Sequence, residues 1–349
     1  MRIASIGTAF PPHYYDQDTL MKAIRVLVVD HDRSLARLEK LHRHLLVGGR
    51  HLALPLEDYA RLATWGDAND AWIRVSAEIG EASLRQALDR AGLGTDDLDL
   101  LIFISVTGVA TPSIDAHLMN RLNMPARVKR MPLFGLGCVG GAAGLARAAD
   151  YVKAYPDHVA AVVSVELCSL TLRRDDSSVA NLIATGLFGD GSATVLVAGA
   201  SRRAAGPRIL DSRSTFYPGS EDAMGWRISE KGFGVILSAG VPGLVRDHIG
   251  EDVDRFLGDH GLRRRDMAAW ICHPGGPKVL QAFQEALDLP RQALDLAWST
   301  LAQVGNLSSA SVLLVLDKVL EAGPPAPGAH ALLVAMGPGF CSELVLLRW

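Results

Sequence analysis

Short runs of valine, isoleucine, leucine and alanine recur along the chain without polar alternation. They fall at 98–106 (LDLLIFISV), 158–167 (HVAAVVSVEL), 192–199 (SATVLVAG), 268–274 (AAWICHP), 330–337 (HALLVAMG) and 342–349 (SELVLLRW). A strand covered on both faces loses its in–out alternation, so these runs predict strands in the middle of a layered fold. Between them the apolar positions take helical spacing. Residues 68–93 predict a long helix ending at Gly92, and 140–155 predict a second. Residues 309–323 predict a third, stopped by Gly323 ahead of Pro324 and Pro325. Strands alternating with helices predict an α/β fold.

The pattern repeats. Each half runs through a strand, a chemistry-bearing residue, a helix and a late pair of strands. Small and basic residues at 199–210 (GASRRAAGPRIL) interrupt the apolar pattern between the halves. Two duplicated halves are therefore expected, 1–205 and 206–349.

Composition narrows the class. The 349 residues are 49% hydrophobic and 21% charged, the balance of a globular chain with a large core. A net charge of −3 points to neither nucleic acid nor a membrane surface. The four cysteines are widely spaced, with no CxxC or Cys/His cluster to suggest zinc, and a chain of this size needs no disulfides. The opening MRIASIGTAFPPHYY shows no basic region followed by an apolar run, so no signal peptide is read there. No apolar stretch approaches the roughly 20 residues of a membrane span. A cytoplasmic setting is expected.

Three stretches carry candidate chemistry. In LFGLGCVGGAAGLARAADYV (133–152), Cys138 sits among glycines where a strand gives way to a helix. A helix starting near Val139 would set the thiol at its positive end and favour the thiolate. The alternative is a small buried hydrophobe between close-packed glycine helices. In WICHPGGPKVL (270–280), His273 ends a strand before a Pro-Gly-Gly turn, placed either to reach a cleft or to cap a surface. His42, His44 and His51 lie in a basic segment and read as solvated. In VGNLSSASVLL (304–314), the Asn306 amide either donates to an oxyanion or caps the following helix. A nucleophile, a base and an amide donor, each at a strand–helix junction, suit acyl transfer.

With these residues in place, the chain resembles the type III polyketide synthases, relatives of chalcone synthase, of the bacterial kind. The resemblance covers nearly the whole chain. It rests on GLGCVGGAAGLARAADYV, on VSVELCSLTLRRDDSSVANLIATGLFGDGSATVLV (163–197), and on CHPGGPKVL, GNLSSASVLLVL and MGPGF (336–340). It implies a thiolase fold, five-layered αβαβα from two duplicated halves, and a homodimer. It implies a triad of Cys138, His273 and Asn306. Cys138 would take a starter acyl group from an acyl-CoA. Malonyl-CoA would lose CO₂ against His273 and Asn306, and the enolate would attack the Cys138 thioester in repeated Claisen condensations before cyclisation. No metal or cofactor is implied, and no carrier protein.

The resemblance also assigns secondary roles. Phe188 matches a gatekeeping phenylalanine, and the second gatekeeper falls near Val235, where the plant pattern is departed from. Thr107, Thr111, Cys168, Thr171 and Ser308 would line the cavity, and Gly337, Pro338, Gly339 and Phe340 would shape its wall. Arg37, Lys40 and Arg43 would meet the CoA phosphates, with Arg50 a weaker candidate. Thr111 stands where plant enzymes have methionine, and Cys168 where they have threonine. Less wall bulk leaves apolar volume for an alkyl chain, each buried methylene adding about 0.8 kcal/mol. The expected starter is therefore a medium- or long-chain fatty acyl-CoA, giving an alkylresorcinol or alkylpyrone. The alternatives are a synthase of tetrahydroxynaphthalene type using malonyl-CoA alone, and a single condensation like that of β-ketoacyl-ACP synthase III. The Pro-Gly-Gly after His273 disfavours the last. A degradative thiolase would need a second catalytic cysteine, for which Cys341 is a poor candidate, and a non-catalytic acyl-CoA binder would not keep the triad.

Overall fold

The computed structural model describes residues 1–28, 32–323 and 325–349, with the side chains of 26–37 outside the described set. The first half opens with β1 (Arg2–Ala9), β2 (His13–Asp16), α1 (Gln17–Val28), α2 (Asp32–Arg43) and β3 (Gly49–Leu52), which pairs with β2. The one-turn α3 (Leu56–Tyr59) leads to the long α4 (Trp65–Ala91). Local chemistry sets its ends: Thr64 and Asp67 form a reciprocal capping box, and Gly92 closes it at φ 63°. Then come β4 (Leu100–Ile104), α5 (Ile114–Arg121), β5 (Lys129–Leu133), α6 (Gly140–Ala154), β6 (Val159–Leu167), α7 (Val179–Leu187) and β7 (Asp190–Ala198).

A loop over 199–207 leads to β8 (Arg208–Phe216) and a hairpin of β9 (Met224–Ser229) and β10 (Gly232–Leu237). The second half continues with α8 (Val241–Asp259), β11 (Met267–Cys272), α9 (Pro277–Leu287), α10 (Asp295–Val304) and α11 (Ser311–Glu321), then β12 (His330–Gly337) and β13 (Cys341–Arg348).

The main sheet runs β11-β12-β13-β8-β1-β7-β6-β4-β5. It is two half-sheets joined at a seam of one residue pair, Arg2 with Arg208. The halves share a motif. In the first, β4 runs parallel to β6, which is antiparallel to β7; in the second, β11 runs parallel to β12, which is antiparallel to β13. Each motif is entered from a helix, α6 before β6 and α11 before β12. These two helices touch each other and strands of both half-sheets, forming the middle layer, while α4 covers β1, β6 and β7 from outside. With helices on both faces, β6 and β7 are buried at every residue, which is why they read as unbroken apolar runs.

The strands that sequence patterning passes over lie at the margins. β5 (KRMPL) is an edge strand, half-exposed or exposed throughout, and β8 (RILDSRSTF) alternates polar residues outward. The glycines of α6 serve helix packing. A Cβ at Gly141 would strike the Ser309 carbonyl at the entrance to α11, and one at Gly144 would strike Ile104 of β4. Only side chains of hydrogen let the middle layer close this tightly. Among the described residues, no helix is long and apolar enough to cross a membrane.

Candidate active site

The duplication places two of the three candidates alike. Cys138 lies in a 3-10 turn, Gly137–Val139, that runs into α6. Asn306 stands two residues ahead of a similar turn, Ser308–Ala310, that runs into α11. Because α6 and α11 are partners in the middle layer, the thiol and the amide meet between the halves. His273 follows the end of β11, where its N–H donates to the Val334 carbonyl of β12 at 2.9 Å. Cys138, His273 and Asn306 line one cavity, walled by Phe188, Met224, Leu237, Met336 and Phe340.

Each side chain is fixed by neighbours. The Asn306 Oδ1 accepts from the Ser308 N–H at 2.8 Å and the Ser311 hydroxyl at 3.2 Å, and its Nδ2 donates to the Gly275 carbonyl at 3.3 Å. The oxygen caps the turn, while the amide nitrogen, which has two hydrogens, is left with one to offer. The Nδ1 of His273 has no hydrogen-bond partner, so no carboxylate orients the ring. Packing does so instead: a Cβ at Gly275 would stand 3.2 Å from the ring Cδ2 and 3.4 Å from Nε2. Gly137 holds φ at 52°, with Pro338 seated where its Cβ would be, so the late GPGF loop lies directly on the nucleophile turn.

Electrostatics corrects the expectation that the helix end holds Cys138 as a thiolate. Burial comes first, pushing the thiol up to about 11. Burial likewise lowers the His273 imidazole to about 3. Burial disfavours the charged form of each group, so a thiolate at Cys138 calls for an opposite charge beside it, and His273 lines the same cavity. Beneath them Glu166 is fully buried, pushed up to about 7 by burial, and its negative form opposes the thiolate. It accepts from Ser309, from Thr107 at 3.0 Å and from the Val106 N–H at 3.1 Å. The sign of one pH effect follows. Removing the imidazolium partner leaves burial unopposed, so His273→Gln is expected to move the midpoint of Cys138 alkylation by iodoacetamide upward by at least about one pH unit. An unchanged or lower midpoint would refute the pairing.

The secondary residues divide. Phe188 touches both chambers beside the thiol, and Val235 and Cys168 line the shared wall with Ser308, which holds φ 44°. Beyond Phe188 and Cys168 opens a narrow side chamber of about 70 Å³, lined mainly by apolar residues of α1, α3 and α7 together with Thr171. Pro338 and Phe340 face the cavity, but Gly337 and Gly339 do not. A Cβ at Gly337 would fall between Val139 and Leu136, and Gly339 turns toward Phe216.

Two residues expected at the cavity do not line it within this single chain. Thr107 is off by one position: Val106 faces the chamber. The Thr107 hydroxyl turns into the core, between Glu166 and the Leu167 N–H at 2.9 Å. Thr111 is exposed. Gly108 packs on the Trp72 ring and Asn69 brackets Val109 by two hydrogen bonds, which carries the loop outward along α4.

Lys40 and Arg43 are exposed on α2, and the Arg37 side chain lies outside the described residues. Arg50, by contrast, is 2% exposed and cannot meet a phosphate at the surface. His44 is exposed as read, but His42 is buried, with Nε2 3.0 Å from the Leu182 carbonyl, and His51 stacks on Phe10. Sequence reading missed Trp226, Met224 and Leu237 of the β9–β10 hairpin, because MGWRIS lacks an apolar run. It also missed the buried carboxyls Glu166 and Asp190, whose only signal is an acidic residue in or at the start of an apolar strand, and the burial of Arg50. Among the described residues, no group of three or more His, Cys, Asp or Glu is placed to hold a metal.

Comparison with known proteins bears on this geometry. Residues 1–201 match the model of the chalcone and stilbene synthase N-terminal domain, and 208–349 that of the C-terminal domain. The chain is 53% identical over 350 residues to the 1,3,6,8-tetrahydroxynaphthalene synthase of Streptomyces peucetius subsp. caesius, covering 99% of this chain and 93% of that one. It is 30% identical to the phloroglucinol synthase of Pseudomonas fluorescens, with 97% of each covered. Among solved structures, the tetrahydroxynaphthalene synthase of Streptomyces coelicolor A3(2), a bacterial type III polyketide synthase, superposes with a TM-score of 0.95 at 31% identity, covering 100% of this chain and 99% of that one.

Proposed function

The chain belongs to the chalcone and stilbene synthase family of type III polyketide synthases, which are acyltransferases, and on that premise we propose that it builds 1,3,6,8-tetrahydroxynaphthalene from malonyl-CoA alone. The observation that carries this reading is the 53% identity, over nearly the full length of both chains, to a protein of that activity. It displaces the expectation of a fatty acyl starter. The ten carbons of the naphthalene skeleton correspond to five two-carbon units, each left by a malonyl group that has lost CO₂.

In this reading Cys138 passes its proton to His273 and the thiolate attacks a malonyl thioester. CoA leaves as the thiol, taking the proton back. A second malonyl-CoA then loses CO₂, and the electron pair of the broken bond forms an enolate. His273 and the free hydrogen of the Asn306 amide meet its oxygen in a site that Phe188, Met336 and Phe340 keep dry. The enolate carbon attacks the Cys138 thioester and expels the Cys138 thiolate, leaving the lengthened chain on CoA. Transfer of that chain back to Cys138 releases CoA and the cycle repeats, and the carboxyl of the starter malonyl leaves as the fifth CO₂. Loss of CO₂ drives each bond formation, so the chemistry calls for no metal or organic cofactor. Lys40 and Arg43 would hold the CoA phosphates, and the exposed edge strand β5 suits a homodimer. A division at 205/206 would place the nucleophile in one half and its two partners in the other.

One observation favours a second reading. The side chamber past Cys168 has a mainly apolar lining, the kind of surface an alkyl chain would contact. The deciding experiment incubates purified protein with malonyl-CoA alone and with acyl-CoAs of graded length, and identifies products by mass. A ten-carbon aromatic product from malonyl-CoA alone supports the proposal. Product only in the presence of a fatty acyl-CoA would replace it with the second reading, and absence of CO₂ release with every starter would end both.

A further inference from the structure

We propose that Arg50 is a positioning residue for the Asn306 amide, acting through the backbone crossing of Phe188 with Asn306. The inference rests on the catalytic reading of Asn306 given above. The two segments form an isolated bridge: the Asn306 N–H donates to the Leu187 carbonyl at 2.9 Å, and the Gly189 N–H donates to the Asn306 carbonyl at 3.0 Å. Between these bonds the Phe188 carbonyl points away from the crossing. Its donor is the guanidinium of Arg50, reaching from β3 with Nη1 at 2.9 Å.

The fit extends along the side chain. Arg50 lays its methylene stem across the two glycines that flank the crossing. A Cβ at Gly305 would stand 3.1 Å from the Arg50 Cδ, and one at Gly189 would stand 3.5 Å from its Cβ and Cγ. Glycine at 305 also holds φ 74° and leaves the Leu187 carbonyl free to accept from Asn306. One buried side chain therefore packs against both strands of the crossing and bonds to one of them.

A cation is a costly way to supply one hydrogen bond, which argues that the position needs it. Burial lowers Arg50 to about 10, so it stays charged at neutral pH, and its Nε has no partner. The buried carboxylate of Asp190 opposes that charge. Asp190 is itself held by the N–H groups of Ala53 at 2.6 Å and Ser169 at 2.8 Å. These contacts tie β3 to the start of β7, two residues past Phe188. The amide that must meet the enolate oxygen, and the aromatic ring beside the thiol, thus hang from one clamped segment. A donor shifted by a fraction of an ångström loses much of its effect on a developing charge.

The test measures malonyl-CoA decarboxylation for the wild type, Arg50→Met, Arg50→Lys, Asn306→Ala and the Arg50→Met/Asn306→Ala double variant, together with the rate of Cys138 alkylation by iodoacetamide. Methionine keeps an apolar stem and removes the donor. We expect Arg50→Met to lower kcat about tenfold or more, with KM changed by less than about threefold. Arg50→Lys should recover part of the loss, since an ammonium can still donate to the Phe188 carbonyl. In the Asn306→Ala background the Arg50→Met change should cost almost nothing further, because both act on one amide. Alkylation of Cys138 should be unaltered. The inference is overturned if Arg50→Met decarboxylates at the wild-type rate, if its loss adds to that of Asn306→Ala, or if alkylation falls in parallel, which would mark a general loss of structure. Should the methionine variant not fold, the lysine variant carries the same comparison with a smaller drop. If Asn306→Ala itself leaves decarboxylation unchanged, the catalytic reading fails and this inference with it. A loss on Asn306→Ala with none on Arg50→Met overturns this inference alone.

Discussion

Cys138→Ala is expected to abolish polyketide release while leaving malonyl-CoA decarboxylation running. The two steps place different demands on the site. Condensation needs an acyl group held on a nucleophile, and among the residues of this cavity only Cys138 supplies one. Losing the attacking atom from a covalent mechanism costs on the order of 10⁴-fold or more. Decarboxylation needs only a bound malonyl thioester and donors for its oxygen, and alanine removes neither His273 nor the Asn306 amide. It also removes a thiol that burial holds in its protonated form, so no charge is left uncompensated. The measurement pairs CO₂ release from malonyl-CoA with product detection by mass. Polyketide from the alanine variant would remove Cys138 from the mechanism. Simultaneous loss of CO₂ release would show that the thiol takes part in decarboxylation too.

Asn306→Ala gives the complementary result. Removing one preorganised donor from an oxyanion site costs about 10²–10³-fold in kcat, and that loss should fall on decarboxylation. Condensation is then lost because no enolate forms. The substitution also strips the Ser308 N–H and the Ser311 hydroxyl of the acceptor they share. A buried donor left without a partner costs about 1–3 kcal/mol, so the melting temperature should drop as well. The far-ultraviolet circular dichroism spectrum separates the two consequences: a folded variant keeps the wild-type spectrum at the assay temperature. A variant that folds and decarboxylates normally would leave His273 as the sole donor and refute the role given to Asn306.

The core of the fold was legible because it is buried on both faces. β4, β6, β7, β11, β12 and β13 all coincide with the apolar runs to within two residues at their starts, and α4 ends at Gly92 as its sequence signals. The marginal strands β5 and β8 and the β9–β10 hairpin were not, since half-exposed strands carry polar residues that patterning cannot tell from loops. The triad residues were visible one at a time, as residues at strand–helix junctions. What sequence could not show was their charge state: depth of burial, a property of the packed whole, outweighs the helix end beside Cys138. Val106 takes the cavity position expected of Thr107 because the Thr107 hydroxyl is drawn to Glu166 and the Leu167 N–H in the bend after β4. Arg50 misled for a related reason. It follows a run of basic residues and reads as one more surface cation, while the fold folds it under Phe188.

The shared middle layer has a consequence for how the molecule comes into being. One face of α6 is completed by β12 and β13, and α6 also rests on α11, all of which lie more than a hundred residues further along the chain. At about 5–20 residues per second, a ribosome needs on the order of ten to thirty seconds to deliver them after β7 has emerged. For that interval the alanine and leucine surface of α6 has no permanent cover, and the turn bearing Cys138 has neither Pro338 above it nor Asn306 beside it. The nascent first half is therefore the stage most exposed to aggregation and to capture by chaperones. The cavity around Cys138 cannot close until synthesis is nearly over, because His273, Asn306, Met336 and Phe340 of the second half complete its wall.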